Sequence, residues 1–156
     1  PVAFLPDGGA EVLSPDGASK ENPEEVAWVV KILIDLLNPG DLAISDIGIV
    51  TPYAGQVRAI RDSIPESLQS VEVRTVDGYQ GREKDVIIFS CVRSNKDGNV
   101  GFLSDARRLN VAITRARRGL VVVGDPDTLR CDPNWGAWLE HIRSRNLEAW
   151  HLLGTA

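Results

Sequence analysis

Two nearly uninterrupted apolar runs, VIIFSCV from Val86 to Val92 and LVVV from Leu120 to Val123, limit the architectures open to this chain. A strand with one wet face alternates apolar and polar residues. A run that is apolar at almost every position must be covered on both faces, as a central strand of a parallel sheet is when helices lie above and below it. Helical signals occur where such a sheet needs them. Val26, Val29, Val30, Leu33, Ile34 and Leu37 recur at helical spacing, with Asn22 and Pro23 as cap and first turn and Pro39-Gly40 as the stop. TPYAGQVRAIRDSI opens a second helix directly behind the short apolar run Ile47 to Val50. Trp135, Trp138, Leu139 and Ile142 mark a last helix, whose aromatic face is expected to pack on the sheet. PVAFL reads as a strand, the stretch from Pro6 to Pro23 as a turn-rich surface loop, and Val71 and Val73, alternating with charged neighbours, as a shorter or more exposed strand. This alternation predicts one α/β domain over residues 1–156 with a mostly parallel sheet.

Each apolar run follows a dense polar block. The first, TVDGYQGREKD from Thr75 to Asp85, sets Gly78 and Gly81 beside Asp77, Gln80, Arg82 and Glu83. Glycine lets a backbone turn sharply and come close to a ligand; a solvated turn accounts for the same residues equally well. In the second block, Arg107 to Arg118, the residues Leu109, Ala112, Ile113 and Ala116 fall on one helical face. That helix would carry Arg108 and Arg115 on a common side, with Arg117 and Arg118 near its end, where cations suit the macrodipole. Arg115 lies between small and apolar neighbours, and a guanidinium there needs an anionic partner to justify partial burial. Tyr53 stands where a strand gives way to a helix, the usual ligand edge of a parallel sheet, and would serve equally as a partly buried structural tyrosine.

VDGYQGREKD, VRSN with the GFL behind it, and RRLNVAITRAR stand in the order of motifs V and VI of superfamily 1 helicases, and IGIVTPYAGQ is similar to motif IV. From about Asn22 to Asp125 the chain resembles the branch that contains the nonsense-mediated-decay helicase, senataxin and the immunoglobulin mu-binding helicase. The resemblance implies a RecA-like three-layer α/β/α fold and the place of the second of two motor domains. It implies that Arg115 reaches the γ-phosphate of ATP, that Glu83 contacts the ribose or assists the magnesium shell, and that Gln80 and Gly81 shape the nucleotide side of the loop. Tyr53 would flank the base, while Thr75 and Asp77 would meet a single strand of RNA or DNA. Pro23 stands where the family aligns a second phosphate-binding arginine, so no phosphate contact is carried over to that position.

The sequence contains neither a GxxxxGK[ST] loop to grip phosphate nor the acidic pair that holds magnesium. This chain alone is therefore expected not to hydrolyse ATP. ATP and Mg²⁺ would be bound mainly by a preceding RecA-like domain of the same parent chain. The alternative is a non-catalytic module that keeps the fold and binds nucleic acid or protein. The net charge of −5 is uneven: ten Lys or Arg against six Asp or Glu between Val71 and Gly119 leave that region at +4 and the rest at −9. No apolar run approaches the roughly 20 residues of a membrane span, and PVAFLPDGG has no secretory pattern. Cys91 and Cys131 have no histidines at metal spacing, so neither a metal site nor a disulfide framework is expected, and a reducing compartment, cytoplasm or nucleus, fits.

Overall fold

A computed structural model describes residues 2–79, 83–145 and 147, with the backbone alone at 111–113. Strands β1 (Val2–Pro6), β4 (Ile47–Thr51), β5 (Glu72–Thr75), β6 (Lys84–Ser90) and β7 (Ala116–Gly124) form one sheet in the order β1-β7-β6-β4-β5. Every pairing in that sheet is parallel. The two long apolar runs thus become the inner strands β6 and β7, and the alternating segment at Val71 becomes the edge strand β5.

The pleat sends successive side chains to opposite faces. Ile87 and Phe89 join Phe4, Val122, Leu109, Trp135 and Ile142 on one side, under α3 (Ala106–Ile113) and α5 (Pro133–Ser144). Ile88, Val86, Leu5 and Ile49 join Val29, Leu33, Val57 and Ile60 on the other, under α1 (Pro23–Leu37) and α2 (Ala54–Ser63). Burying each such side chain is worth roughly 1.5–3 kcal/mol, and the product is a three-layer α/β/α stack. The tryptophans belong to it. Trp138 meets Phe4 edge-on at 5.8 Å and Trp135 at 5.6 Å, and Trp135 Nε1 donates to Leu103 O at 2.9 Å.

Local chemistry sets the boundaries. Asn22 caps α1, its Oδ1 accepting from Glu25 N at 3.2 Å, with Pro23 at the first helical position. The Gly40 N–H donates to Leu37 O as the chain turns away. The stretch expected to be plain loop contains a small antiparallel ladder, β2 (Val12–Leu13) with β3 (Lys20–Glu21), and a single helical turn, α4 (Pro126–Leu129), precedes α5.

A larger correction concerns the arginine-rich block. Its helix α3 stops at Ile113, and Ala116, Arg117 and Arg118 are strand residues. Helical periodicity there yields to sheet pairing: Lys84 N donates to Arg115 O at 3.1 Å, and Lys84 pairs with Ala116. Arg108 and Arg115 therefore do not share a helix face. Arg117 and Arg118 cap no helix; both are exposed, and Arg117 pairs with Asp85 at 3.3 Å.

Candidate functional site

Glu83 and Arg115 come together at the sheet edge where β6 and β7 begin. Each precedes by one residue the paired positions Lys84 and Ala116. Directly beyond, the register shifts: Val86 pairs with Gly119, so β7 carries an extra residue at Arg117-Arg118. Such a bulge kinks a strand and re-aims nearby side chains, and bulges concentrate beside functional sites. Arg115 is half-buried, and its Nε is shut off from solvent with no hydrogen-bond partner among the described residues. An unmatched guanidinium nitrogen is costly unless an anion meets it. Glu83 beside it is exposed. Gln80 and Gly81, expected on the same site, lie outside the described residues.

Thr75 and Asp77 come together at the opposite edge, where the strands end. Thr75 closes β5 and pairs in register with Thr51, and its Oγ1 accepts from Gly78 N at 3.3 Å. A helical turn, Asp77–Tyr79, follows. Its anchor is Tyr79, which is buried over β4: a Cβ on Gly48 would fall against the Tyr79 hydroxyl and 2.7 Å from Cζ. Glycine at 48 is what lets the ring lie on the sheet. Asp77 pairs with Arg108 at 3.1 Å, and Pro52, Thr75, Asp77, Phe102, Arg108 and Leu109 line a depression of about 120 Å³.

Tyr53 does not join Glu83 and Arg115. It follows β4, at the strand-end edge, and the five residues of that strand separate the two edges by about 15 Å at strand rise. It is only 6% exposed, and its hydroxyl accepts from Arg93 Nη1 at 3.0 Å. The structure thus sets Tyr53 at the other edge of the sheet from Glu83 and Arg115. A strand-to-helix junction always faces the strand-end edge, whereas Glu83 and Arg115 sit at strand starts. Arg93 is itself nearly buried and also donates from Nε to Glu11 Oε1 at 3.0 Å. Burial works against its charge, but the bonds to Tyr53 and Glu11 outweigh that and raise its pKa. Burial likewise works against the Glu11 carboxylate, yet Asn95, Arg93 and the Ser94 amide donate to it and hold its pKa below the ordinary value.

A buried polar cluster that sequence pattern does not single out locks α1 and α2 onto the end of β6. Glu25 Oε1 accepts from Ser90 Oγ at 2.7 Å and from Val92 N at 2.9 Å. Asn22 Nδ2 donates to Gly9 O at 2.6 Å, to Val92 O at 3.0 Å and more distantly to Glu25 Oε2 at 3.3 Å. Gln56 bridges from α2, donating to Ser90 Oγ at 3.0 Å and accepting from Asn22 N at 2.9 Å. Burial pushes the Glu25 carboxyl up to about 8, against the donors at Val92 and Ser90. Val92, at φ 70, holds a conformation that is an outlier for a β-branched residue, and both its backbone polar groups are bound by this cluster.

Among the described residues no group of His, Cys, Asp or Glu is placed to hold a metal ion, and no helix is long and apolar enough to cross a membrane.

A parallel sheet between two helical layers, with motif loops divided between its edges, defines a RecA-like α/β domain. Residues 1–127 match the family described as "AAA domain". The chain is 43% identical over 154 residues to "Regulator of nonsense transcripts 1" of Dictyostelium discoideum, an alignment covering 94% of this chain and 12% of that protein. It is 41% identical over 136 residues to "Helicase sen1" of Schizosaccharomyces pombe, covering 83% and 8%. It is 42% identical over 150 residues to the human "DNA replication ATP-dependent helicase/nuclease DNA2", covering 94% and 14%. The chain belongs to this AAA-domain family and, within it, to the superfamily 1 helicases. It spans between 8% and 14% of the length of these three relatives.

Proposed function

We propose that this chain is the second RecA-like motor domain of an ATP-dependent RNA or DNA helicase, and that its two sheet edges divide the labour. The strand-start edge, with Arg115 and Glu83, completes an ATP site whose phosphate-gripping loop and magnesium ligands belong to a preceding RecA-like domain. The strand-end edge, with Thr75 and Asp77, meets the single strand. The observation that carries this reading is the buried Nε of Arg115, which lies beside Glu83 and has no hydrogen-bond partner among the described residues. It fits an anion arriving from outside the domain.

Bound Mg²⁺-ATP supplies a phosphoryl group whose transfer spreads negative charge over the γ-phosphate oxygens. Arg115, fixed by the turn between α3 and β7, would place its guanidinium against that charge. Arginines in that role accelerate transfer roughly 10³- to 10⁵-fold. Glu83 would accept from the ribose or steady the water shell of the metal. Between the two edges run β6 and β7, rigid inner strands through which cleft closure on nucleotide would move the strand-binding edge as one body.

The test is ATP turnover by the full-length protein that carries this chain, titrated separately with single-stranded RNA and single-stranded DNA. Stimulation by either establishes the motor reading and names the substrate. A folded protein that binds a strand but turns over no ATP would move the assignment to a non-catalytic binding module.

A further inference from the structure

Among the described residues Phe102 is the most exposed aromatic ring, and the fold has built a support for it. The residue is 58% exposed, yet the turn that carries it, Gly101–Ser104, is tightly held. Leu103 N donates to Val100 O at 3.1 Å, Ser104 Oγ donates to Gly101 O at 3.0 Å, and the Leu103 side chain is buried while its carbonyl accepts from Trp135 Nε1. Leu103 therefore points in and Phe102 out by construction. Gly101, at φ 54, brings the turn against the Tyr53-Arg93 pair so closely that a Cβ there would lie 2.5 Å from the Tyr53 hydroxyl. The Phe102 ring rests on Tyr53, centroids 5.2 Å apart and planes 33° from parallel. Arg93 in turn lies 5.9 Å from the centre of the Tyr53 ring.

Phe102 is also the ridge between two depressions. On one side is the hollow lined by Thr75, Asp77 and Arg108; on the other is a larger one of about 380 Å³ lined by Leu13, Ser19, Lys20, Tyr53 and Arg93. Both open at the strand-end edge, and Leu13, 64% exposed, lines the larger hollow together with Phe102.

We infer that Phe102 is a stacking platform for one nucleobase of the single strand, which passes from the Thr75-Asp77 hollow over the ring into the Leu13-Lys20 hollow. This rests on the strand-binding role proposed above for the strand-end edge. A base has a π-face that matches a rigidly presented ring of its own width, and its flanking phosphates would lie toward Arg108 and Lys20. Both cations already have carboxylate neighbours, Asp77 and Glu11, so the local charge is near balance. Stacking, rather than phosphate attraction, then carries the contact.

The test is fluorescence anisotropy of labelled oligouridylate and oligothymidylate with the full-length protein, comparing wild type with Phe102→Ala, Phe102→Leu and Phe102→Trp. Thermal unfolding serves as the folding control for each. Loss of one base–aromatic stack should weaken binding about tenfold in the Ala variant. The Leu variant should be as weak as Ala, and Trp should bind as tightly as wild type. Wild-type affinity in the Ala variant overturns the platform and leaves the strand-binding edge standing. Full affinity in the Leu variant overturns stacking in favour of a plain apolar contact, such as a protein partner makes. No binding by wild type overturns the platform together with the strand-binding role.

Discussion

Replacing Glu25 by glutamine isolates a buried carboxyl whose ionisation the fold opposes. The carboxyl rises from 4.5 to about 8 on folding, chiefly through complete burial. Between those values the folded chain keeps a proton that the unfolded chain releases. Stability is therefore fully present below about pH 4.5, falls as pH rises, and levels off above about 8. A tenfold change in proton affinity is worth about 1.4 kcal/mol, so the decline is at most that much per pH unit and about 4–5 kcal/mol in all. That is a large part of the roughly 5–15 kcal/mol that holds a domain folded. The groups facing Glu25 do not reverse the trend. Asp7 is also raised, by burial first and then by Glu24 and Asp125 against the Gly9 and Gly8 amides, and burial holds the Cys91 thiol well above its ordinary value. Glutamine keeps an oxygen for Ser90 and Val92. It gives up only the long contact from Asn22 Nδ2, which retains Gly9 O and Val92 O as better acceptors. Urea unfolding from about pH 5 to about pH 8 at constant ionic strength measures the effect. Wild type should lose stability with rising pH, while Glu25→Gln stays nearly flat apart from the share due to Asp7. Parallel curves for the two proteins would refute a Glu25 protonated in the fold.

Asn22→Ala removes the α1 cap and both buried donations to Gly9 O and Val92 O. A loss of about 2–4 kcal/mol in urea unfolding is expected; a loss within experimental scatter would mean that the cluster does not tie α1 to β6. Gly48→Ala forces Tyr79 off β4, since the new Cβ would lie 2.7 Å from its Cζ. This should destabilise by about 1–3 kcal/mol and weaken single-strand binding by moving the Asp77–Tyr79 turn. Unfolding and oligonucleotide titration read the two effects separately, and unchanged strand affinity in a destabilised variant would detach that turn from the strand.

Much of the framework is legible because it is written in local pattern. Strands β6 and β7 cannot hide that both their faces are covered, and the charged residues between Val71 and Arg74 mark β5 as an edge. Asn22 before Pro23 announces the start of α1. What local pattern does not reveal depends on partners far along the chain. Helical spacing continues through Ala116, but the pairing of Ala116 with Lys84 ends the helix first and puts Arg115 in a turn. An acidic residue in a first turn looks like ordinary complement to the helix dipole. Glu25 differs only because Ser90 and Val92, far along the chain, fold over it. Tyr53 does stand at a strand-to-helix junction, but Glu83 and Arg115 lie where strands start, a separation visible only once strand direction is fixed. Phe102 lies inside the GFL that carries the resemblance, and its exposure is decided by Leu103 turning inward.

The division of labour between the sheet edges is tested most directly by Arg115→Ala in the full-length protein, with ATP turnover and single-strand affinity measured on the same preparation. Strand-stimulated turnover should fall about 10³-fold or more, while affinity for the strand and thermal stability stay at wild-type values. Turnover that survives the substitution, or strand affinity that falls along with it, would contradict the separation of a nucleotide edge from a strand edge.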